Sequence, residues 1–254
     1  MAIGNRIGAV NIPAGILGFE IGDRGQHDSV SINGLNKKTT GLIYFDIIGD
    51  RSYIVPMQKL TQKQTKRENL LNQGVSLLML QGFHGTGLKE ILDAVQIPKG
   101  SFYSYFGSKE DFAAASITHY IAIYVERLQS YLEQSEGNAL GAMERYVQET
   151  MRELEALEFK GGCLLGNLMG EVGDTSGVCR MALKTALDCY LDAWELALSC
   201  AQREGSIRAD KSAREMADLW INAWQGALLR MKIEHSTVPL KQCYDELLGG
   251  LFKA

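Results

Sequence analysis

Hydrophobic side chains recur at helical spacing along most of the chain, beginning near Thr61. Leu71, Leu78 and Met79 stand at positions i, i+7 and i+8, which share one face of a helix with 3.6 residues per turn. Gly82 then interrupts the pattern, as glycine does where helices end. We therefore expect a first helix that buries one face and stops at this glycine.

Two short helices are predicted next, separated by a brief turn at residues 95–97. The first begins near Leu88 with Thr86 as its N-cap, because a threonine oxygen can accept a hydrogen bond from the first turn. Pro98 opens the second, where its missing N–H costs nothing. Ser108 is expected to cap a fourth helix. Two short helices joined by so short a turn have the layout of a helix-turn-helix.

Long helices are predicted for the rest of the chain. No proline occurs between Lys99 and Val238, and glycine-containing steps separate the periodic stretches. The predicted helices span residues 109–132, 139–157, 163–172, 176–204, 211–235 and 240–252. The expected fold class is therefore all-α from residue 61 onward.

Residues 1–56 differ from everything that follows, because they are rich in glycine and lack helical periodicity. Residues 41–49 are β-prone and could pair with residues 52–55 as a hairpin, although an isolated hairpin has only marginal stability. Alternatively, translation starts at Met57 and the extension belongs to an over-long gene prediction. The sequence leaves both interpretations open, and nothing in the extension suggests chemistry.

The composition argues against several classes of protein. No apolar run approaches the roughly 20 residues that span a bilayer, and we find no secretory signal, so a cytoplasmic location is expected. The five cysteines contain no CxxC pair, which argues against a disulfide framework and against a zinc site. No phosphate loop, nucleophile elbow, zinc-protease or dinucleotide motif occurs. We therefore expect no enzyme activity, no cofactor and no metal.

Charge is distributed unevenly along the chain. The net charge is −4, which by itself would disfavour binding to nucleic acid. Residues 57–110, however, carry seven Lys and Arg against four Asp and Glu, whereas the segment that follows is acidic. A basic segment joined to an acidic one is consistent with a DNA-binding head joined to a larger body that has a different function.

The second short helix is unusual for a helix that only packs. Phe102 and Phe106, four residues apart, are its expected inward anchors. Its other residues can donate hydrogen bonds to phosphates or base edges, and its small residues let the backbone approach DNA. The alternative is a small surface helix in a protein-interaction module that does not bind DNA.

The segment from Gly82 to Phe112 reads GFHGTGLKEILDAVQIPKGSFYSYFGSKEDF. It resembles the DNA-binding head of the tetracycline-repressor (TetR) family of bacterial transcription regulators. The resemblance implies a three-helix helix-turn-helix head over residues 57–107 and a helical-bundle body for ligand binding and dimerisation over residues 108–254. It also implies a homodimer that binds operator DNA and leaves it in response to an effector. Residues 1–56 have no counterpart in the family.

The resemblance also assigns DNA-contacting positions. By matching the motif residue by residue, it implies contacts from Thr86, Gly87, Lys99, Gly100, Ser101, Tyr103, Tyr105 and Lys109. Lys66 and Arg67, near the start of the first helix, are weaker candidates for phosphate contacts.

The last two long helices are the expected dimer interface. They carry Trp220, Ala223, Trp224, Gly226 and Ala227, and small residues beside tryptophans allow close helix packing with a large buried area. In the family this region forms a four-helix interface between subunits, so two heads would bind a palindrome. The alternative is ordinary packing within one subunit.

Cys163 is the candidate sensor. It follows two glycines and opens a predicted helix, whose partial positive charge favours thiolate, the form that attacks electrophiles and oxidants. Its surroundings resemble the TetR subgroup containing the N-ethylmaleimide-reductase repressor, which senses electrophiles through a cysteine in a similar Gly-Cys-Leu context. The alternative is a thiol that only packs.

A pocket is a second way to sense an effector. The residues expected to line it are Tyr120, Tyr124, Met143, Tyr146, Phe159, Met169 and Trp194, with His119 as polar lining. The remaining cysteines are expected in the core: Cys179, Cys189, Cys200 and Cys243.

Overall fold

A computed structural model describes residues 61–254, which form nine α-helices and a short π-helical turn without a β-strand. The all-α prediction is confirmed for this part of the chain. The suggested hairpin at residues 41–55 and the suggested start at Met57 lie outside the described residues. The helices are α1 (Gln62–Gly85), α2 (Leu88–Val95), α3 (Lys99–Phe102), α4 (Lys109–Glu133), α5 (Ala139–Ala156), α6 (Leu164–Val172), α7 (Gly177–Arg203), α8 (Ala213–Glu234) and α9 (Val238–Glu246), followed by the π-helical turn Leu247–Leu251.

Short polar side chains cap several of these helices. The Ser108 hydroxyl accepts a hydrogen bond from the backbone N–H of Asp111 at 3.0 Å, which confirms the predicted start of α4. Ser212 and Glu215 form a reciprocal capping box at the start of α8. Because such signals are local, the predicted boundaries of the long helices agree with the structure to within a few residues.

The expected N-cap of α2 is wrong. Gly87 occupies the N-cap position, while the hydroxyl of Thr86 is buried and donates to the backbone oxygen of Gly82 at 2.6 Å. The physical reason lies in α1, which continues past Gly82 to Gly85 with a sharp break at that glycine. The Thr86 hydroxyl bonds back to this break rather than forward to α2.

The second of the two predicted short helices, α3, has only four residues. Residues 103–105 continue as a turn, in which the Ser104 hydroxyl donates to the Ser101 carbonyl at 2.6 Å. Such a side-chain bond competes with the helical ladder and favours an early end. Gln96, with φ of 54°, makes the left-handed turn that separates α2 from α3.

The head has a hydrophobic core of its own, formed by α1, α2, α3 and the start of α4. Phe102 and Phe106, the predicted anchors, are both buried in it and pack against each other with ring centroids 5.4 Å apart. Gly74 of α1 lies beneath Phe112, where a Cβ atom would come within 2.3 Å of the ring. The core side chains are Leu70, Leu71, Ile91, Leu92, Phe102, Phe106 and Phe112.

The body core is built around a row of tryptophans. Trp194 of α7 packs against Trp220 of α8, and Trp220 stacks on Trp224 with centroids 5.1 Å apart. Trp220 is only 1% exposed. Trp220 therefore packs against α7 within the subunit, and Trp224 is buried too, so for these two side chains the alternative of ordinary packing within one subunit holds. That α7 and α8 form the dimer interface stays a prediction. No helix between residues 61 and 254 is long and apolar enough to cross a membrane.

Candidate nucleic-acid interface and effector pocket

α3 and the turn that follows it present most of the residues expected to contact DNA. Lys99, Gly100 and Tyr103 are exposed, and Ser101 and Tyr105 are half-buried. No neighbouring atom lies within 4 Å of the position that a Cβ of Gly100 would occupy. The start of the helix is therefore open to close approach by a phosphate backbone.

Cations at the start of α1 extend this surface. The ammonium of Lys63 lies 5.8 Å from the centroid of the Tyr105 ring, and the guanidinium of Arg67 lies 5.4 Å from that of Phe106. Lys63 was missed as a candidate by sequence reasoning. Its spacing of four residues from Arg67, which places both on one helix face, is the signal that could have found it.

Two of the expected contacts face inward. The Thr86 hydroxyl is fully buried and cannot reach a phosphate, which leaves the exposed Gly87 backbone as the candidate at the start of α2. The Lys109 ammonium donates to the backbone oxygen of Phe83 at 2.6 Å and lies 4.3 Å from that ring's centroid. In this geometry Lys109 supports the junction of α1 and α4 instead of projecting from the head.

A small pocket lies in the body beside Cys163, with a volume of about 60 Å³. Tyr120, Tyr124 and Tyr146 line it as expected. Met143, Phe159, Met169 and Trp194 are not among the lining residues, and neither is His119, which bonds to Asn72 of α1 at 2.7 Å.

Cys163 is the N-cap residue of α6 and is partly exposed. The side-chain amide nitrogen of Gln225 donates to its sulfur at 3.2 Å, and both residues line the pocket. The side chain of Lys232 lies over Gly162, whose φ of 75° suits only glycine well. The thiol therefore lies between a helix N-terminus and an amide donor, at the edge of a cavity.

The tyrosines of the pocket remain neutral. Burial, with a contribution from nearby Cys163, raises the pKa of Tyr120 well above its usual range, and burial raises that of Tyr124 to about 12. The hydroxyls of Tyr146 and Tyr190 bond to each other at 3.2 Å. Glu153, also in the lining, is paired with Arg127 at 2.7 Å. The pocket thus offers neutral hydroxyls and aromatic faces, with its one carboxylate already paired.

The other cysteines do not share one environment. Cys179 is buried, and burial raises the pKa of its thiol. Cys200 and Cys243 are half-buried. Cys189 is exposed on α7, so the expectation that it lies in the core is wrong. Within residues 61–254, no group of His, Cys, Asp and Glu side chains could hold a metal ion.

A three-helix head with an exposed, polar recognition helix, joined to a larger helical body, defines a helix-turn-helix transcription regulator. The family described as "Bacterial regulatory proteins, tetR family" matches residues 70–115, and "Tetracyclin repressor-like, C-terminal domain" matches residues 139–247. The chain belongs to the TetR family and is a DNA-binding transcriptional repressor. The predictions of this family and of a protein that is not an enzyme are confirmed.

Characterised relatives agree with this assignment. The chain is 34% identical over 185 residues to the repressor NemR of Escherichia coli K12, covering 73% of this chain and 92% of the relative. It is 31% identical over 188 residues to the repressor DhaR of a Mycobacterium species, covering 74% and 91%. The reduced form of E. coli NemR matches the fold with a TM-score of 0.66 at 31% identity, over 75% of this chain and 98% of that one. The expected likeness to the NemR-type subgroup is thereby confirmed.

Proposed function

We propose that this repressor acts as a dimer whose two heads bind a palindromic operator, and that an effector or a thiol reagent acting at the pocket beside Cys163 releases it. The observation that carries the proposal is the position of Cys163, which is at once the N-cap of α6 and part of the pocket lining. An event at this thiol therefore acts directly on a helix of the body that packs against α1. The regulated genes would be those next to the operator.

Direct contacts with DNA are proposed for the exposed face of α3. Lys99, Gly100 and Ser101 open this helix, where backbone N–H groups and short side chains suit a phosphate. Tyr103 and Tyr105 would bond through their hydroxyls. Gly87 would contribute its backbone, while Thr86 and Lys109 would act by holding the junction with α1.

Dimerisation is proposed through an exposed stripe on α8 that faces away from the tryptophans. Leu219, Gly226, Leu229 and Ile233 follow helical spacing, and Ile233 is 84% exposed. On the adjacent α7, Met181 and Leu196 are exposed as well. Large apolar side chains gathered on two packed helices favour burial against a second copy.

The chemistry proposed at Cys163 is addition to a small electrophile. The thiolate would form a C–S bond with an electrophilic carbon, and with a maleimide the C=C π bond breaks while the adjacent carbon takes a proton from water. The amide of Gln225 is positioned to donate to the sulfur in its anionic form. The size of the cavity favours small reagents over extended ligands.

The test of the function is a fluorescence-anisotropy titration of the purified full chain with the DNA upstream of its coding sequence, with and without N-ethylmaleimide. Salt-sensitive, saturable binding that the reagent abolishes is expected. Binding that the reagent does not change would contradict the thiol mechanism but would remain compatible with release by a ligand in the pocket. Binding no tighter than to unrelated DNA would contradict recognition of an operator in that region.

Replacing Cys163 with serine is expected to remove the response to N-ethylmaleimide while preserving operator affinity within about threefold, because serine keeps a small polar side chain that can accept from Gln225 but its hydroxyl is a poor nucleophile. The matched control is Cys189→Ser, which removes an exposed thiol outside the pocket and should respond like the wild type. Anisotropy before and after the reagent measures both. Unchanged release from the Cys163 variant would disprove the sensor role.

Replacing Lys99 with alanine is expected to weaken binding to operator and to unrelated DNA alike, and to lower the slope of log K against log salt by about one unit. The reason is that each lysine–phosphate contact releases a counterion. Lys184→Ala, an exposed cation on α7 paired with Asp188, should leave the slope unchanged. An unaltered slope for the Lys99 variant would show that this lysine does not contact a phosphate.

A further inference from the structure

α1 is broken at Gly82, which has φ of 73° and ψ of 179°. This combination is accessible essentially to glycine only. In an unbroken helix the N–H of Phe83 would bond to the Met79 carbonyl, and the N–H of His84 to the Leu80 carbonyl. The break turns these amides away from the helical ladder, so they need other partners.

Two side chains of α6 supply partners, one for these two amides and the other for the Met79 carbonyl that Phe83 would otherwise bond. The carboxylate of Glu171 accepts the N–H of Phe83 at 2.7 Å and the N–H of His84 at 2.6 Å. The Asn167 side chain donates to the carbonyl of Met79 at 3.2 Å. Asn167 and Glu171 are four residues apart and so share one face of α6. One helix thus provides both the acceptor and the donor that the broken α1 lacks.

The residues on the head side of the break also form hydrogen bonds that stabilise it. The Thr86 hydroxyl donates to the Gly82 carbonyl, and the Lys109 ammonium donates to the Phe83 carbonyl, both at 2.6 Å. The chain between the break and α2 is therefore bonded to α4 and α6 as well as to itself. These bonds lie at the point where the chain leaves α1 and continues into α2.

The same α6 residues are linked to the neighbourhood of Cys163. Asn167 donates to the carbonyl of Gly161 at 2.8 Å and accepts from the Lys232 ammonium at 3.1 Å. α6 has nine residues, which makes it about 13 Å long. A displacement of its first turn therefore reaches Asn167 and Glu171 within a single rigid element.

We propose that Asn167 and Glu171 are positioning residues for operator binding, which hold α1 broken at Gly82 and thereby set the angle of the head. When α6 moves, the amides of Phe83 and His84 pair again with their helical partners, α1 becomes continuous, and the head turns away from the spacing of the operator. The amides of Phe83 and His84 have hydrogen-bond acceptors in both states. α1 therefore has two alternative conformations, and the position of α6 shifts the equilibrium between them. The inference rests on the proposed function, in which two heads bind one operator.

The test compares a palindromic duplex with a half-site duplex, both chosen from a randomised pool by the wild-type protein. Glu171→Gln keeps the shape of the side chain but sets an NH₂ group against one of the two amides. This variant is expected to bind the full site about tenfold more weakly or worse, because hydrogen bonds to a charged acceptor are lost. Its affinity for the half-site should not change. Glu155→Gln, an exposed carboxylate of α5, is the matched control.

Gly82→Ala tests the same break by changing α1 instead of α6. A Cβ at this position would lie 2.5 Å from the Glu171 carboxylate, and the backbone conformation would be strained. It is expected to reproduce the loss at the full site, and the double variant should lose little more because both changes act on one break. If Gly82→Ala does not fold, Glu171→Gln decides alone. Full-site affinity equal to the wild type, or equal losses on full and half sites, would overturn the inference. A wild-type protein that binds both duplexes equally would instead contradict the proposed function.

Discussion

Replacing Leu229 with glutamate is expected to convert the protein to a monomer and to weaken binding to the full operator by about a thousandfold or more. Leu229 is 48% exposed in the middle of the apolar stripe on α8. In a twofold interface the change occurs in both copies, so the interface would bury two carboxylates without partners. Loss of the dimer leaves one head per molecule, and a single head has only half of the contacts.

The measurement combines sedimentation equilibrium with the operator titration. Leu251→Glu is the matched control, because this leucine is similarly exposed but belongs to the π-helical turn at the C-terminus and not to the stripe. It should remain dimeric and bind normally. A Leu229 variant that sediments as a dimer would place the interface elsewhere on the body.

Replacing Phe102 with alanine is expected to destabilise the head by roughly 3–5 kcal/mol, the usual cost of removing a buried phenylalanine. Phe102 is completely buried and lies within 5.5 Å, centroid to centroid, of Tyr103, Phe106 and Phe112. The head core is small, so this loss is a large share of what holds α3 in place. Operator binding should fall below detection at concentrations that saturate the wild type.

Hydrogen exchange separates loss of the head from loss of the whole protein. Amides of α2 and α3 should lose protection, whereas those around Trp194 and Trp220 should keep it, because they belong to a different core cluster. Tyr103→Ala, at an exposed position in the turn that follows α3, should leave protection unchanged. Full protection of α3 in the Phe102 variant would contradict the view that this ring holds the recognition helix.

Most of the helices could be predicted because their signals are local. The cap at Ser108 and the joints rich in glycine lie within a few residues of the boundaries that they determine. The inward direction of Phe102 and Phe106 also follows from their spacing alone. Backbone hydrogen bonds and capping depend on near neighbours, so a single sequence contains this information.

What the sequence could not determine depends on partners far along the chain. Thr86 was assigned to the wrong bond because the break at Gly82 is stabilised by Glu171, nearly ninety residues away. Trp220 faces the core because it packs on Trp194, and Lys109 turns inward because the Phe83 carbonyl lies within its reach. By itself the sequence determined the all-α class, the helix-turn-helix head and the candidate residues on α3. Only the tertiary structure decided which polar groups face solvent, because burial and long-range hydrogen bonding are properties of the packed chain.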